Sequence, residues 1–547
     1  MRPKDCNYLS AAISIAALSA SAVAAQTSPL IIDKGRIDRQ QDQIAPKQTP
    51  EPLRGRLAID ESAPDESAAN LTFVRIRGSS LSQIDLEQSW RKSVGRPLDR
   101  TAIEAVATAL SAIYQKSDIA LFTILAPSQD LSDGQLDLIV IEGHISDVVI
   151  QTDDKEAKDI ELARDYAATL TTERPLRRQT LERYLSLIRD IPGEKVEAQF
   201  VPAAQRGGAR LVLTARRNRM DFGFGLNNRG SPLLGQTQAN LDASYNDLLR
   251  GGDQTTLSFS MPTHDDRFIY ASLSHSTPIG ADGMRVSLSA SKLKTRLDSG
   301  IDGDAETGGV SVSYPLIRGY QKNSSVSFGF DALESSNAAF GQALDSSSTR
   351  VIRSAISYGI NEEKSALGVS ASISHGLDIW GASVNPFLAQ SDFTKAGFQA
   401  GFDRLFATRY ALRLRTTAQF SDDMLPASEQ FALGGESYGR AYGGAVIQGD
   451  AGMAGSIEAA VRFLKLLPDW MAGSETYVFA DAGSVKLNER PLLFPDMDFS
   501  LSSAGVGARI AMGKKTTVGL EFAHGLEAPY AAVEGEWRVS YSLVSRH

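Results

Sequence analysis

Two hydrophobic periods divide this chain. Between about residues 71 and 215, short runs of β-formers alternate with stretches whose apolar residues recur every three or four positions. Leu71 to Arg77 reads as a strand, with Phe73, Val74 and Ile76 as its β-formers. Helical patterns follow from about Ser82 to Val94 and from about Asp99 onward, where Ile103, Val106, Leu110 and Ile113 share a face. Asp99 and Thr101 both suit an N-cap, with Glu104 three residues after Thr101. Ile119 to Leu125 and Leu136 to Ile141 are strands, joined through the turn Asp133-Gly134. The next stretch repeats the order β-α-α-β-β. Val148 to Gln151 is its first strand, and Ile160, Leu162, Ala163, Tyr166 and Leu170 make its first helical face. Leu181, Tyr184, Leu185 and Ile188 make the second, before Val196-Ala198-Phe200 and Leu211-Leu213 alternate about Gly207-Gly208. Two successive units of one topology predict a tandem pair of small α/β domains, 70–145 and 146–216.

From residue 217 a two-residue alternation takes over. Leu257, Phe259 and Met261 alternate with Ser258 and Ser260; Met284, Val286 and Leu288 with Arg285, Ser287 and Ser289; Val326, Phe328 and Phe330 with Ser327 and Gly329. Ile457, Ala459 and Val461 alternate with Glu458, Ala460 and Arg462, and Trp537, Val539, Tyr541 and Leu543 with Arg538, Ser540 and Ser542. In a soluble sandwich the polar face meets outside water; in a membrane barrel it lines a wet lumen and the apolar face meets lipid. Three features favour the barrel. Residues 217–547 show no domain break, and the strands are separated by unequal polar loops, such as Leu297 to Thr307 and Ser335 to Thr349. The N-terminus carries an export signal. At roughly 20 residues per strand and connection, the segment predicts about 16 strands, and closing them removes exposed edges.

That signal occupies residues 1–25. Arg2 and Lys4 form a basic start, Ala11 to Leu18 an apolar stretch, and Ala22-Val23-Ala24 a small-residue cleavage site. Cleavage removes Cys6, the chain's only cysteine, so disulfides and thiol chemistry are excluded. Residues 26–69 read as a linker. Within it, Leu30 to Ala45 has a thin apolar stripe at Leu30, Ile37 and Ile44, and Pro46, Pro50, Pro52 and Pro64 follow. The 547 residues carry a formal charge of −9 with no basic cluster, which argues against a nucleic-acid partner.

Enzymatic signatures are weak. Gly435-Glu436-Ser437-Tyr438-Gly439 fits the nucleophile elbow of hydrolases, but Gly443-Gly444 and more β pattern follow it where a helix is required. The six histidines are scattered singly, so no metal site and no cofactor is expected. Gly513-Lys514-Lys515 lacks the glycine spacing of a phosphate loop. Asp302-Gly303-Asp304 reads as an acidic loop rather than a calcium site.

Several segments resemble the two-partner secretion transporters, the family that exports filamentous haemagglutinins and haemolysins, within the larger outer-membrane assembly superfamily. Pro127, Gln129, Asp133-Gly134 and Glu142-Gly143 resemble the family's first polypeptide-transport-associated (POTRA) repeat, and Ile191-Pro192-Gly193 a turn of the second. Leu226-Asn227-Asn228-Arg229-Gly230-Ser231, Gly235, Asn246 and Gly252-Asp253 resemble the opening of the barrel. Leu433-Gly434-Gly435-Glu436-Ser437-Tyr438-Gly439-Arg440-Ala441-Tyr442 resembles the superfamily's inward-folded loop, whose tip usually reads Val-Arg-Gly-Tyr or Phe. Gly439 and Ala441 depart from that pattern, and alanine tolerates positive φ poorly. Phe479-Ala480-Asp481-Ala482-Gly483 matches the partner-strand motif, Phe-x-Asp-x-Gly.

The resemblance implies a transmembrane barrel over 217–547, in the outer membrane, with two POTRA domains in the periplasm. It implies a pore that moves an unfolded haemagglutinin- or haemolysin-type passenger to the cell surface without ATP, and no enzyme. It further implies that Arg440 pairs with Asp481 in a lock completed by Tyr442, Phe479 and Gly483, and that Leu30 to Ala45 plugs the lumen at rest. Partners would be the passenger, outer-membrane lipid and the barrel-assembly machinery. Passenger docking by strand addition is expected first along Leu136, Leu138 and Val140 and along Leu211 and Leu213. An assembly insertase and a passive porin are the alternative functions. The chain end departs from the usual terminal aromatic: Tyr541 lies in the last run, but Leu543-Val544-Ser545-Arg546-His547 follows.

Overall fold

A computed structural model of the chain describes residues 56–59, 69–152, 160–231, 233–264, 266–339, 342–463 and 467–546. The signal segment and the Leu30 to Ala45 stripe lie outside these residues.

The first α/β unit contains β1 (Arg56–Ile59), β2 (Phe73–Arg77), α1 (Gln83–Glu87), α2 (Arg100–Lys116), β3 (Phe122–Ala126) and β4 (Gln135–Glu142). Asp99 is the N-cap of α2, its carboxylate accepting from the Ala102 N–H at 2.8 Å. One face of α2, Ile103, Val106, Leu110 and Tyr114, is buried against Val74, Ile124, Leu136, Leu138 and Val140 of the sheet. Each such side chain taken from water is worth about 1.5–3 kcal/mol. The expected helix over Ser82–Val94 is only α1 and a short 3-10 turn, Arg91–Ser93, because Leu86 is its sole buried apolar anchor and Ile84 faces solvent. Gln129 brackets Asp137, donating to its carbonyl at 2.9 Å and accepting its N–H at 2.6 Å, which pins the β3–β4 connection.

The sheet order is β1-β3-β4-β2, with β1 parallel to β3. This corrects two expectations. Residues 56–59, read as linker, are a strand; they carry too little local signal and are ordered by the β3 edge they complete. Leu136, Leu138 and Val140 lie on β4, an inner strand paired with β2 over Gln135–Ile139 and with β3 over Ile139–Glu142, so they do not form a free sheet edge.

The second unit comprises β5 (His144–Thr152), α3 (Ile160–Leu170), α4 (Arg178–Arg189), β6 (Glu194–Pro202) and β7 (Gly208–Arg217), in sheet order β5-β7-β6. Leu211 and Leu213 sit on the central strand β7 with buried side chains, which removes them as a free edge too. Among the described residues, the edge strands of the two sheets are β1 and β2 in the first and β5 and β6 in the second.

Sixteen strands close into one antiparallel barrel. They are β8 (Met220–Asn227), β9 (Gln238–Asn246), β10 (Gln254–Pro262), β11 (Phe268–Ile279), β12 (Met284–Arg296), β13 (Ile301–Arg318), β14 (Lys322–Ala339), β15 (Gln342–Asn361), β16 (Ser365–Gly376), β17 (Thr394–Phe406), β18 (Tyr410–Phe420), β21 (Ala451–Arg462), β22 (Glu475–Leu487), β23 (Met497–Met512), β24 (Thr516–Glu527) and β25 (Trp537–Arg546). A small hairpin, β19 (Phe431–Leu433) with β20 (Ile447–Gly449), belongs to the long loop between β18 and β21.

The alternation resolves as a membrane protein requires. Leu257, Phe259 and Met261 are 44–51% exposed, whereas Ser258 and Ser260 between them are 8% and 6% exposed. Apolar residues face out and polar ones face in, the reverse of a soluble core. The segments expected as loops at Leu297 to Thr307 and Ser335 to Thr349 are largely strand. β13, β14 and β15 run 18, 18 and 20 residues, well beyond the roughly 9–11 that cross a bilayer. They project past the lipid, where the outward face is polar: Glu306, Glu334 and Ser336 are exposed, while Ala305, Leu333, Ser335 and Asn337 on the other face are buried. Asp302 and Asp304 lie on this projection, facing Arg296 at 3.6 Å and Lys292 at 3.5 Å.

The barrel closes where β25 pairs with β8 over Gly223–Asn227, and Leu543 to Arg546, the residues after the last aromatic, form most of that seam. Asn228 extends it: its side chain donates to the Val539 carbonyl and accepts the Tyr541 N–H, each at 2.8 Å. The second α/β unit docks beneath. Gly252 is pressed on α3, where a Cβ would stand 2.5 Å from Leu162, and Arg183 of α4 donates to the carbonyls of Asp282 and Pro315 at 2.9 Å each.

Candidate functional site

The loop between β18 and β21, residues 421–450, folds into the lumen instead of leaving the barrel. Its hairpin turns sharply at Gly434 and Gly435, both at φ +105°, and again at Gly439, at φ +70°. The left-handed position at the tip is Gly439, while Ala441 has no positive φ. The departure from the usual tip therefore carries no strain: the glycine has moved to the position that needs it.

The Gly439 N–H donates to Asp481 Oδ1 at 2.7 Å, and Ser503 donates to the same oxygen at 2.8 Å. The expected two-point bridge between Arg440 and Asp481 is absent. Arg440 Nε lies 3.8 Å from Asp481 Oδ2, an ion-pair distance too long for a hydrogen bond. The guanidinium turns instead to Glu458 and Glu521, donating from Nη1 at 3.2 Å to each. Phe479 lies under it, with its ring centroid 4.3 Å from the guanidinium carbon, in cation–π geometry. Tyr442 is fully buried, and its hydroxyl donates to the Glu527 carbonyl at 2.8 Å. Gly483 leaves room for the hairpin, since a Cβ there would stand 2.7 Å from Leu433. The structure thus brings Arg440, Tyr442, Phe479, Asp481 and Gly483 together, with different work for Asp481: it caps the backbone of the tip.

Sequence reasoning missed the ladder beneath. Register sets Arg413 opposite Glu458 and Glu475 opposite Arg509. Arg413 donates to Glu458 and Glu475 at 2.7 and 2.8 Å, and Arg509 to the same two at 2.6 and 2.9 Å. Glu521 also accepts from Arg229 at 2.8 Å and Tyr477 at 2.9 Å, so the loop tip is tied to the segment that follows β8. The signal was a charged residue on the polar face of an alternating strand, as at Glu458; its partners come from strands distant in sequence. Of the hydrolase residues, Ser437 is exposed on the loop, whereas His524 stacks on Trp537, their ring centroids 4.1 Å apart.

A cavity of about 690 Å³ occupies the lumen beside the loop. Serines of β10 to β14 line much of it, and Leu162, Tyr166 and Leu187 of the second α/β unit are part of its boundary.

The profile of the haemolysin secretion/activation proteins ShlB, FhaC and HecB matches residues 207–510, and that of the ShlB-type POTRA domain matches 70–143. The chain belongs to that family. It is 25% identical over 479 residues to the outer membrane transporter CdiB of Escherichia coli, covering 81% of this chain and 79% of that protein. It is 20% identical over 469 residues to the heme/hemopexin transporter protein HuxB of Haemophilus influenzae, covering 80% of each. The solved structure of CdiB from Escherichia coli superposes with a TM-score of 0.69 at 20% identity, over 96% of this chain and 98% of that one. As a family member, the protein is an outer-membrane β-barrel transporter with periplasmic POTRA domains that translocates a secreted passenger, and neither the insertase nor the porin alternative is favoured.

Proposed function

We propose that the passenger docks by adding a strand to β6 and then crosses the membrane along the serine-lined side of the lumen. β6 carries this reading: it is an open edge nine residues long with alternate residues exposed. Main-chain hydrogen bonds to such an edge place little demand on passenger sequence. The passenger is of the haemagglutinin or haemolysin type, its own folding outside supplies the driving force, and the transporter performs no chemistry on it. The loop tip, held by Arg440, Asp481 and Tyr442, fixes the working shape of the barrel. Outer-membrane lipid surrounds the apolar face, and the barrel-assembly machinery inserts the chain. Hydrogen exchange on the full chain, with and without an unfolded N-terminal passenger segment, tests the docking. Protection gained along Glu194–Pro202 is expected; a passenger that binds without protecting any β6 amide overturns it.

A further inference from the structure

The limb of the inward loop that descends from β18 carries an ionic junction of its own, separate from the tip. Register places Arg353 of β15 opposite Ser374 of β16, and Ser374 opposite Lys395 of β17, in one row across the wall. Glu429, on a 3-10 turn of the loop (Ala427–Glu429), reaches this row. Arg353 grips its carboxylate at two points, 2.8 Å from Nη2 and 3.0 Å from Nη1, and Lys395 Nζ is 2.9 Å away. The side chains of Arg353 and Glu429 are 2% exposed and that of Lys395 is 4% exposed. Asp331 supplies the second anion, accepting from Arg353 Nε at 2.6 Å. The Glu429 carbonyl is held as well, by Lys395 at 3.1 Å and Gln419 at 3.0 Å. Arg353, Ser428 and Glu429 also line the lumenal cavity, whose boundary at the other end is the second POTRA domain.

Two observations make this more than a brace. Buried ion pairs are a poor way to gain stability, because desolvation offsets their attraction, and a packed apolar contact would hold the limb as well. A charged junction differs from an apolar one in what happens when it parts beside a wet lumen: each half is re-solvated. The junction also sits at the end of the cavity away from the POTRA domain, where a chain moving outward must pass. Resting on the reading of the lumen as the export path, we propose that Arg353, Lys395 and Glu429 form a latch that closes the outer end of the lumen, and that the Glu429 limb swings away to let the passenger out while the Arg440 tip stays anchored.

The test uses the full-length protein in outer membranes and in planar bilayers without passenger, so it does not depend on export. Glu429→Gln keeps the shape of the side chain and removes its charge. It is expected to raise open probability about fivefold, in line with the loss of charge-assisted hydrogen bonds, at unchanged barrel abundance. Lys395→Gln should act in the same direction and more weakly. With Cys6→Ser and Ser428→Cys as background, an impermeant maleimide added from outside should label position 428 faster when Glu429→Gln is present. A folded Glu429→Gln barrel with unchanged open probability and unchanged labelling overturns the latch. If Glu429→Gln fails to insert, the same two readings on Lys395→Gln decide. A latch that responds in bilayers while the passenger is not exported through the lumen overturns the export path and leaves the latch standing.

Discussion

Strands β10 to β14 and strands β18 to β25 enclose one lumen but line it differently. The first wall presents small hydroxyls, such as Ser258, Ser274, Ser289, Ser311 and Ser327, beside an open cavity. The second presents Arg413, Glu458, Glu475, Arg509 and Glu521, and the inward loop is packed onto it. A serine offers a donor and two acceptors on a short stem, so it can replace water around a passing backbone without gripping it. The charges instead satisfy one another in a ladder, which stiffens the wall and fixes the Arg440 tip. A passenger of arbitrary sequence needs the first kind of surface, and a loop that must keep one position needs the second.

The sharpest way to break this contrast is Arg440→Ala. It removes the shared cation of Glu458 and Glu521 and leaves buried carboxylates less compensated, a disruption that costs about 3–5 kcal/mol when one partner of a buried pair is lost. Passenger in the medium, normalised to folded barrel, should fall about tenfold or more. Undiminished export would remove Arg440 from the mechanism.

The opposite wall is probed by crowding. Ser311 faces small cross-strand neighbours, Ser287 and Gly329, so a phenylalanine at 311 has room to project inward without breaking the sheet. Ser311→Phe should lower open-state conductance by roughly half and export several-fold, with normal insertion, because overpacking here costs passage rather than folding. Unchanged conductance would place the path elsewhere.

The barrel was legible because alternation survives wherever a strand has lipid on one side and water on the other, as at Leu257 to Met261. It failed where that condition fails. The projecting parts of β13 to β15 carry polar residues, such as Glu306 and Glu334, on the outward face where lipid would demand apolar ones, so Leu297 to Thr307 read as loop. The free edges were misjudged for a different reason. β4 and β7 have the strongest apolar patterns because they are central, and centrality is what denies them an open edge. In the site, the motif residues were legible one by one, but Glu521 and Arg229 meet across the closure of the barrel. The pair joins residues 292 positions apart, a separation that no local pattern records.

A smaller effect is expected where the POTRA domain meets the barrel. Burial alone would raise the Asp282 carboxyl, but hydrogen bonds from Tyr314 and Arg183 and the nearby guanidinium outweigh it and hold it below the usual carboxylate range. A lowered value means that the contact is favoured by the ionised form, present above the ordinary carboxylate range and lost as pH falls through the lowered value. Arg183→Ala removes this partner together with bonds to the Asp282 and Pro315 carbonyls, and should speed hydrogen exchange in α4 about threefold at neutral pH. Wild-type protein should show the same loosening only on acidification, and α4 exchange that ignores both changes would mean that other contacts hold the joint.

The smallest effect marks the limit of the contrast between the walls. Lys292 of β12 also faces two carboxylates, Asp304 and Glu306, but its side chain is nearly half exposed, on the outward face of the barrel wall. Screening and side-chain entropy leave such pairs with little net value. Lys292→Ala should therefore change neither export nor thermal unfolding of the barrel. If it matched Arg440→Ala, charge pairing alone would explain the loop's anchorage. If it does not, burial is the variable that separates a charge that holds the loop from one that merely decorates the surface.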